Sequence, residues 1–162
     1  MPFGKAFHVA VSGDIAVFGA GKPFEAGVLD SRGSIVRWLR VDGPLEPVRE
    51  RDIGQMKARV LAAYVPEQRA RAEARLAAIP EYPVSKPAYR GLIVDDEGFV
   101  WALAWEDPPR AWVLDQGGRL LGQVALPAGL RRIWQIGKDY VLATRRDALD
   151  VDEVVVFRLM GR

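Results

Sequence analysis

The chain has 162 residues and a mass of 17.9 kDa, enough for one domain, and its 49% hydrophobic and 27% charged residues make an ordinary globular composition rather than a disordered or fibrous one. It has no cysteine, which excludes disulfide scaffolds, thiolate-held zinc and thiol catalysis but does not fix the compartment. The net charge of +2 comes from 23 basic and 21 acidic residues, and residues 46–79 and 131–162 each carry seven basic and five acidic side chains, so no one-sign patch points to nucleic acid.

In chain order, the first pattern is Phe7–Val11, a Ser12-Gly13 turn, Asp14–Phe18, a Gly-Lys-Pro loop, Glu25–Leu29, the turn Asp30-Ser31-Arg32-Gly33 and Ser34–Val41. These read as four antiparallel strands. Asp opens a turn by accepting backbone amides on its carboxylate, and Gly takes the positive φ that closes it.

Residues 42–84 have a different chemistry. Pro44 and Pro47 break the strand, and Arg49–Ala63 places Ile53, Met56, Val60 and Leu61, with Tyr64 beyond, at three- and four-residue spacings, which predicts an amphipathic helix. Pro66 suits the first turn of a second helix, Glu67–Ile79, with Ala70, Leu76 and Ala77 as its apolar stripe. Pro80, Pro83 and Pro87 then keep the chain extended. This insert is a helical cover over exposed sheet ends, or alternatively a lid or partner-docking hairpin.

The strand pattern then returns: Tyr89–Val94, Asp95-Asp96-Glu97-Gly98, Phe99–Trp105, Ala111–Leu114, Asp115-Gln116-Gly117-Gly118 and Arg119–Leu126. A third copy runs Ile133–Ile136, Tyr140–Thr144 and Glu153–Leu159. Gly98 and the equivalent Asp139 lie 41 residues apart; Asp14 and Gly98 lie 84 apart, and removing the 43-residue insert leaves 41 again. Four short strands every ~40–50 residues is the length of a propeller blade. The expected fold is all-β with a helical insertion: blade one at 5–41, the insert at 45–80, blade two at 87–126 and a three-stranded blade three at 131–160, within one half-propeller domain covering 1–162. A sandwich or barrel of recurring hairpins is the alternative. Three blades leave both end sheets with an open apolar face, expected to expose side chains such as Trp101, Val155 and Phe157. Two copies would make a ring of about six blades, an obligate dimer, unless the chain is a piece of a longer one.

The stretch Pro87-Ala88-Tyr89-Arg90-Gly91-Leu92-Ile93-Val94-Asp95-Asp96-Glu97-Gly98-Phe99-Val100-Trp101 resembles the repeat signature of six-bladed β-propellers related to NHL repeats. Trp112–Asp115 with Gly118–Gly122 and Leu126-Pro127, and Ile136–Leu142 with Val154–Leu159, are similar to the same family's later blades, so the chain looks like its C-terminal half. The resemblance implies a binding or scaffold role in an often exported protein, and no catalytic residue carries over from it.

His8 is the only histidine, so one chain holds no multi-histidine metal site, and its place in an apolar strand reads as structural. Asp95, Asp96 and Glu97 are too close together for a calcium loop spread over about twelve residues, and read as a turn cap. No nucleophile elbow, Walker loop or dinucleotide fingerprint is present. No catalytic residue, metal or cofactor is therefore expected. No apolar run reaches the ~18 residues of a membrane span, and Met1–Lys5 lacks a signal-peptide pattern. The loops at one end of the strands hold Lys22, Trp105, Glu106, Asp107, Arg110, Arg131, Arg132, Arg145, Arg146 and Asp147. Arg with Trp is a binding hot-spot composition, which makes Trp105, Glu106, Asp107, Arg110, Arg131, Arg132, Arg145 and Arg146 the candidate site for an acidic or carbohydrate-like ligand or an acidic protein segment. A non-catalytic scaffold is the expected function. The alternative is a calcium-dependent hydrolase of the six-bladed lactonase kind, which the lack of any Asn and the placing of the acids in turns disfavour.

Overall fold

The computed structural model describes residues 3–160 apart from 5, 22, 43, 44, 106–108, 148 and 150. The chain divides into two compact units, one of Met1–Gly4 and Pro44–Pro87, the other of Lys5–Gly43 and Ala88–Arg162.

The larger unit is built from antiparallel meanders. Sheet 1 runs β1 (His8–Ser12), β2 (Ile15–Gly19), β3 (Glu25–Leu29), β4 (Ile35–Arg40). Sheet 2 runs β5 (Gly91–Val94), β6 (Val100–Leu103), β7 (Arg110–Leu114), β8 (Leu120–Ala125). Sheet 3 has three strands among the described residues: β9 (Leu130–Ile136), β10 (Tyr140–Arg146) and β11 (Asp152–Arg158). In each sheet, spatial order follows chain order.

One turn recurs three times, and local chemistry explains it. In Asp30–Ser34, Asp95–Phe99 and Asp115–Arg119, the fourth residue is a glycine with φ of 78°, 81° and 87° whose amide donates to the aspartate carbonyl at 3.0, 3.0 and 2.9 Å. The aspartate carboxylate also accepts the amide of the fifth residue at 2.9 Å in all three. This is a turn closed by a left-handed residue, a conformation that costs a β-carbon about 1–2 kcal/mol. Asp147 does the same work between β10 and β11, accepting the amides of Leu149 and Val151.

Side-chain alternation then divides the apolar residues into two cores. The first joins Val17, Ala26 and Leu39 of sheet 1 to Leu92, Val94, Val100, Ala102 and Leu114 of sheet 2. The second joins Trp101, Ala111 and Val113 of sheet 2 to Ile136, Val141 and Ala143 of sheet 3, with Val155 and Phe157 packed against it. Tyr89 is fully buried beside the first core. Its hydroxyl donates to the Glu25 carbonyl at 2.7 Å, and a β-carbon on Gly19 would run into it.

The expectation that Trp101, Val155 and Phe157 lie on open faces is overturned. Sheet 2 is covered on both sides, so Trp101 is buried, and Val155 and Phe157 point at sheet 2. The open faces carry the alternate residues. On sheet 1 these are Phe7, Val9, Val11 and Trp38, with Phe18 lying over Gly27 and its ring 5.8 Å from Trp38 and 5.9 Å from Phe7. On sheet 3 they are Trp134, Val154 and Val156.

The smaller unit holds α1 (Glu50–Ala62) and α2 (Pro66–Ala77). The Asp52 carboxylate accepts the Arg49 amide at 2.9 Å and so caps α1, while Pro66 opens α2 where a missing amide costs nothing. The stripe of α2 is not the expected Ala70 and Ala77, which are exposed. It is Ala72 and Leu76, continued by Ile79 just past the helix end, at four- and three-residue spacings. The two ends of the unit pair with each other through Pro47 and Ser85, and through the Lys86 amide donating to the Glu46 carbonyl at 2.8 Å. The buried Lys86 ammonium lies 3.0 Å from Glu46 and 3.1 Å from Asp52. Among the described residues no helix is long and apolar enough to cross a membrane.

Candidate functional site

Meander connectivity places the β2–β3, β6–β7, β8–β9 and β10–β11 connections at one end of the sheets. The candidate arginines lie there, but on strand ends rather than in loops. Arg110 opens β7, Arg131 and Arg132 lie near the start of β9, and Arg145 and Arg146 close β10. Trp105 is half-buried just past β6. Lys22, Glu106 and Asp107 lie outside the described residues.

The hairpin joining β10 to β11 sets Arg145 opposite Glu153 and Arg146 opposite Asp152. Arg145 accordingly pairs with Glu153. Asp152 takes two cations: Arg131 Nη1 at 3.0 and 3.2 Å to its two oxygens, and Arg146 Nε at 3.5 Å. The hydrogen bond from Arg131, which outweighs desolvation, together with the charges of Arg131 and Arg146, holds the Asp152 carboxyl below the usual carboxylate range. Arg110 Nη1 donates to Gln123 Oε1 at 3.3 Å, and the Arg132 guanidinium stacks 3.8 Å over the Trp134 ring.

The structure therefore brings Arg131, Arg145 and Arg146 together in sheet 3 around two carboxylates, and leaves Arg110 on sheet 2. Arg131 and Arg132 also line a cavity of about 330 Å³ with Arg90, over a floor that includes Leu92, Ile93 and Leu130. Arg90 was not singled out in the sequence; its Nε donates to the Ala104 carbonyl at 2.9 Å. Asp152 and Glu153 were missed as well, although the Asp147 turn fixes their register and makes them legible as cross-strand partners of the two arginines.

Two acids of the Asp95-Asp96-Glu97 run make structural hydrogen bonds. Asp95 is buried, its Oδ1 accepting the amides of Glu97 at 3.0 Å and Phe99 at 2.9 Å and its Oδ2 accepting Trp101 Nε1 at 2.8 Å. Asp96 accepts Gln135 Nε2 at 3.2 Å. Among the described residues no group of three or more His, Asp or Glu side chains is placed to hold a metal ion. His8, on β1, is half-buried with its ring 5.8 Å from that of Tyr89, and burial lowers its pKa from the ordinary 6.5. Chemically the basic end can neutralise and orient an anion. No family profile and no curated protein matches the chain.

Proposed function

We propose that the chain is a non-catalytic binding scaffold of the β-propeller kind, three blades that complete a ring of about six with a second copy. One observation supports this most strongly. The closest strand-to-strand approaches between sheets involve their first strands, β1 to β5 and β5 to β9, with β2 also against β5, while β4 and β8 meet the cores between sheets through side chains such as Leu39 and Val124. Sheets that converge on their first strands and stack face on face are wedges about a line, the arrangement of propeller blades. A single facing pair of layers would cover each sheet on one side only, whereas sheet 2 is covered on both.

In this reading the arginine-rich end is the mouth of the ring and its ligand is acidic. The guanidinium groups there suit carboxylates, which they meet in bidentate fashion. The test is calorimetric titration with an oligo-glutamate peptide and with a uronic-acid oligosaccharide. Binding that weakens with salt and is abolished in the Arg110→Ala, Arg131→Ala, Arg146→Ala triple variant supports the site. Unchanged affinity in the triple variant rejects it.

A further inference from the structure

The two open sheet faces are not equivalent. On each sheet, one face looks forward to the next sheet in the chain and the other looks back. On the second strands the forward residues are Val17 of β2 and Trp101 of β6, and the backward residues are Val100 and Ala102 of β6 and Val141 and Ala143 of β10. Aligning the repeats on Asp14, Gly98 and Asp139 puts Val17, Trp101 and Leu142 at one position, and Phe18, Ala102 and Ala143 at the next. The face around Leu142, which also carries its exposed cross-strand partner Val156, is thus a forward face left uncovered by the described residues of this unit. The face around Phe18, with its exposed partner Val9, is a backward face left uncovered by the other described sheets of this unit. Both covered contacts in this unit join a forward face to a backward face, and one of each kind is left over.

We infer that the open face of sheet 3 in one copy packs on the open face of sheet 1 in a second copy, repeating between chains the contact that sheet 1 makes with sheet 2 and sheet 2 with sheet 3. This rests on the self-assembling reading above and assigns its surfaces. Pairing like with like, sheet 1 on sheet 1, would leave both sheet 3 faces open. The head-to-tail contact covers both faces. With two copies it occurs twice and closes, and six sheets fall within the roughly four to eight at which such rings close. The occupants also match in chemistry. Sheet 1 presents an aliphatic and aromatic surface of Phe7, Val9, Val11, Phe18 and Trp38, and sheet 3 presents Trp134, Val154 and Val156.

Two variants of the full chain test this, Val9→Glu on sheet 1 and Val156→Glu on sheet 3. Both side chains are exposed in the single chain, 58% and 67%, so circular dichroism is expected to be unchanged. By light scattering the unaltered chain is expected at twice 17.9 kDa and each variant at 17.9 kDa. An equimolar mixture of the variants regains one sound contact, the unaltered sheet 3 of Val9→Glu on the unaltered sheet 1 of Val156→Glu, and the doubled mass returns at high concentration. If one variant stays paired while the other falls apart, like faces meet and the inference fails. It fails too if both variants stay paired. A second readout uses the cysteine-free background. Val9→Cys and Val156→Cys chains treated with a short bismaleimide are expected to cross-link when mixed and not when alone; cross-linking of either alone contradicts the assignment. An unaltered chain found at 17.9 kDa throughout would instead defeat the self-assembling reading on which the inference rests.

Discussion

Trp101 Nε1 donates to Asp95 Oδ2 at 2.8 Å, with both residues about 1% exposed. The same carboxylate caps the turn that precedes β6, so one side chain ties a local turn to the second core. A buried acid is tolerated there because three N–H donors replace its water.

Removing either partner strands the other. Asp95→Ala is expected to lower unfolding stability by about 2–4 kcal/mol and Trp101→Phe by about 2 kcal/mol, because each leaves buried polar groups unmatched. The double variant is expected to cost less than the sum by about 1 kcal/mol or more in urea unfolding. Strict additivity would show that the contact is not energetically coupled.

Two glycines are expected to respond with opposite signs. Gly33 has φ of 78° with open space where a β-carbon would go, so Gly33→Ala carries only backbone strain, about 1–2 kcal/mol destabilising. Gly54 lies inside α1, also with open space, so Gly54→Ala is expected to stabilise by about 0.5–1 kcal/mol. Melting temperatures that move in the same direction would contradict this.

Stability is expected to fall with acid in two windows. Burial would raise the Asp52 carboxyl, but the Arg49 amide, the Lys86 hydrogen bond and charge, and Arg51 outweigh it and leave its pKa below 3.8. A depressed carboxylate contributes stability that is fully present above its unfolded value and is lost as pH falls through the folded one. His8 is lowered from 6.5 by burial, so the unfolded chain takes up that proton first; stability is full above 6.5 and declines as pH drops toward the lowered value. Asp52→Asn is expected to flatten the lower limb and His8→Gln the upper one in pH-dependent unfolding, and an unchanged profile in either variant would contradict the assignment.

Much of the fold was legible because it is local. The Asp-x-x-Gly turns depend on a carboxylate and a left-handed glycine three residues apart, and they delimit the strands to within a residue or two. Face assignment was not local. Trp101, Val155 and Phe157 are apolar whichever way they point, and only the stacking of sheet on sheet decides which alternate set is covered. The same holds for Ala70 against Ala72 in α2, where small residues occupy more than one side of the helix. At the basic end, the arginines were visible as charge. Their partners Asp152 and Glu153 follow only from the hairpin register, and Arg90 comes near Arg131 only when sheets 2 and 3 stack.

The proposed ring is tested most directly by the mass of the intact chain in solution, measured by multi-angle light scattering across a dilution series. A value of twice 17.9 kDa, persisting to low concentration, is the predicted result. A particle of 17.9 kDa at every concentration, with its apolar sheet faces in water, would contradict it.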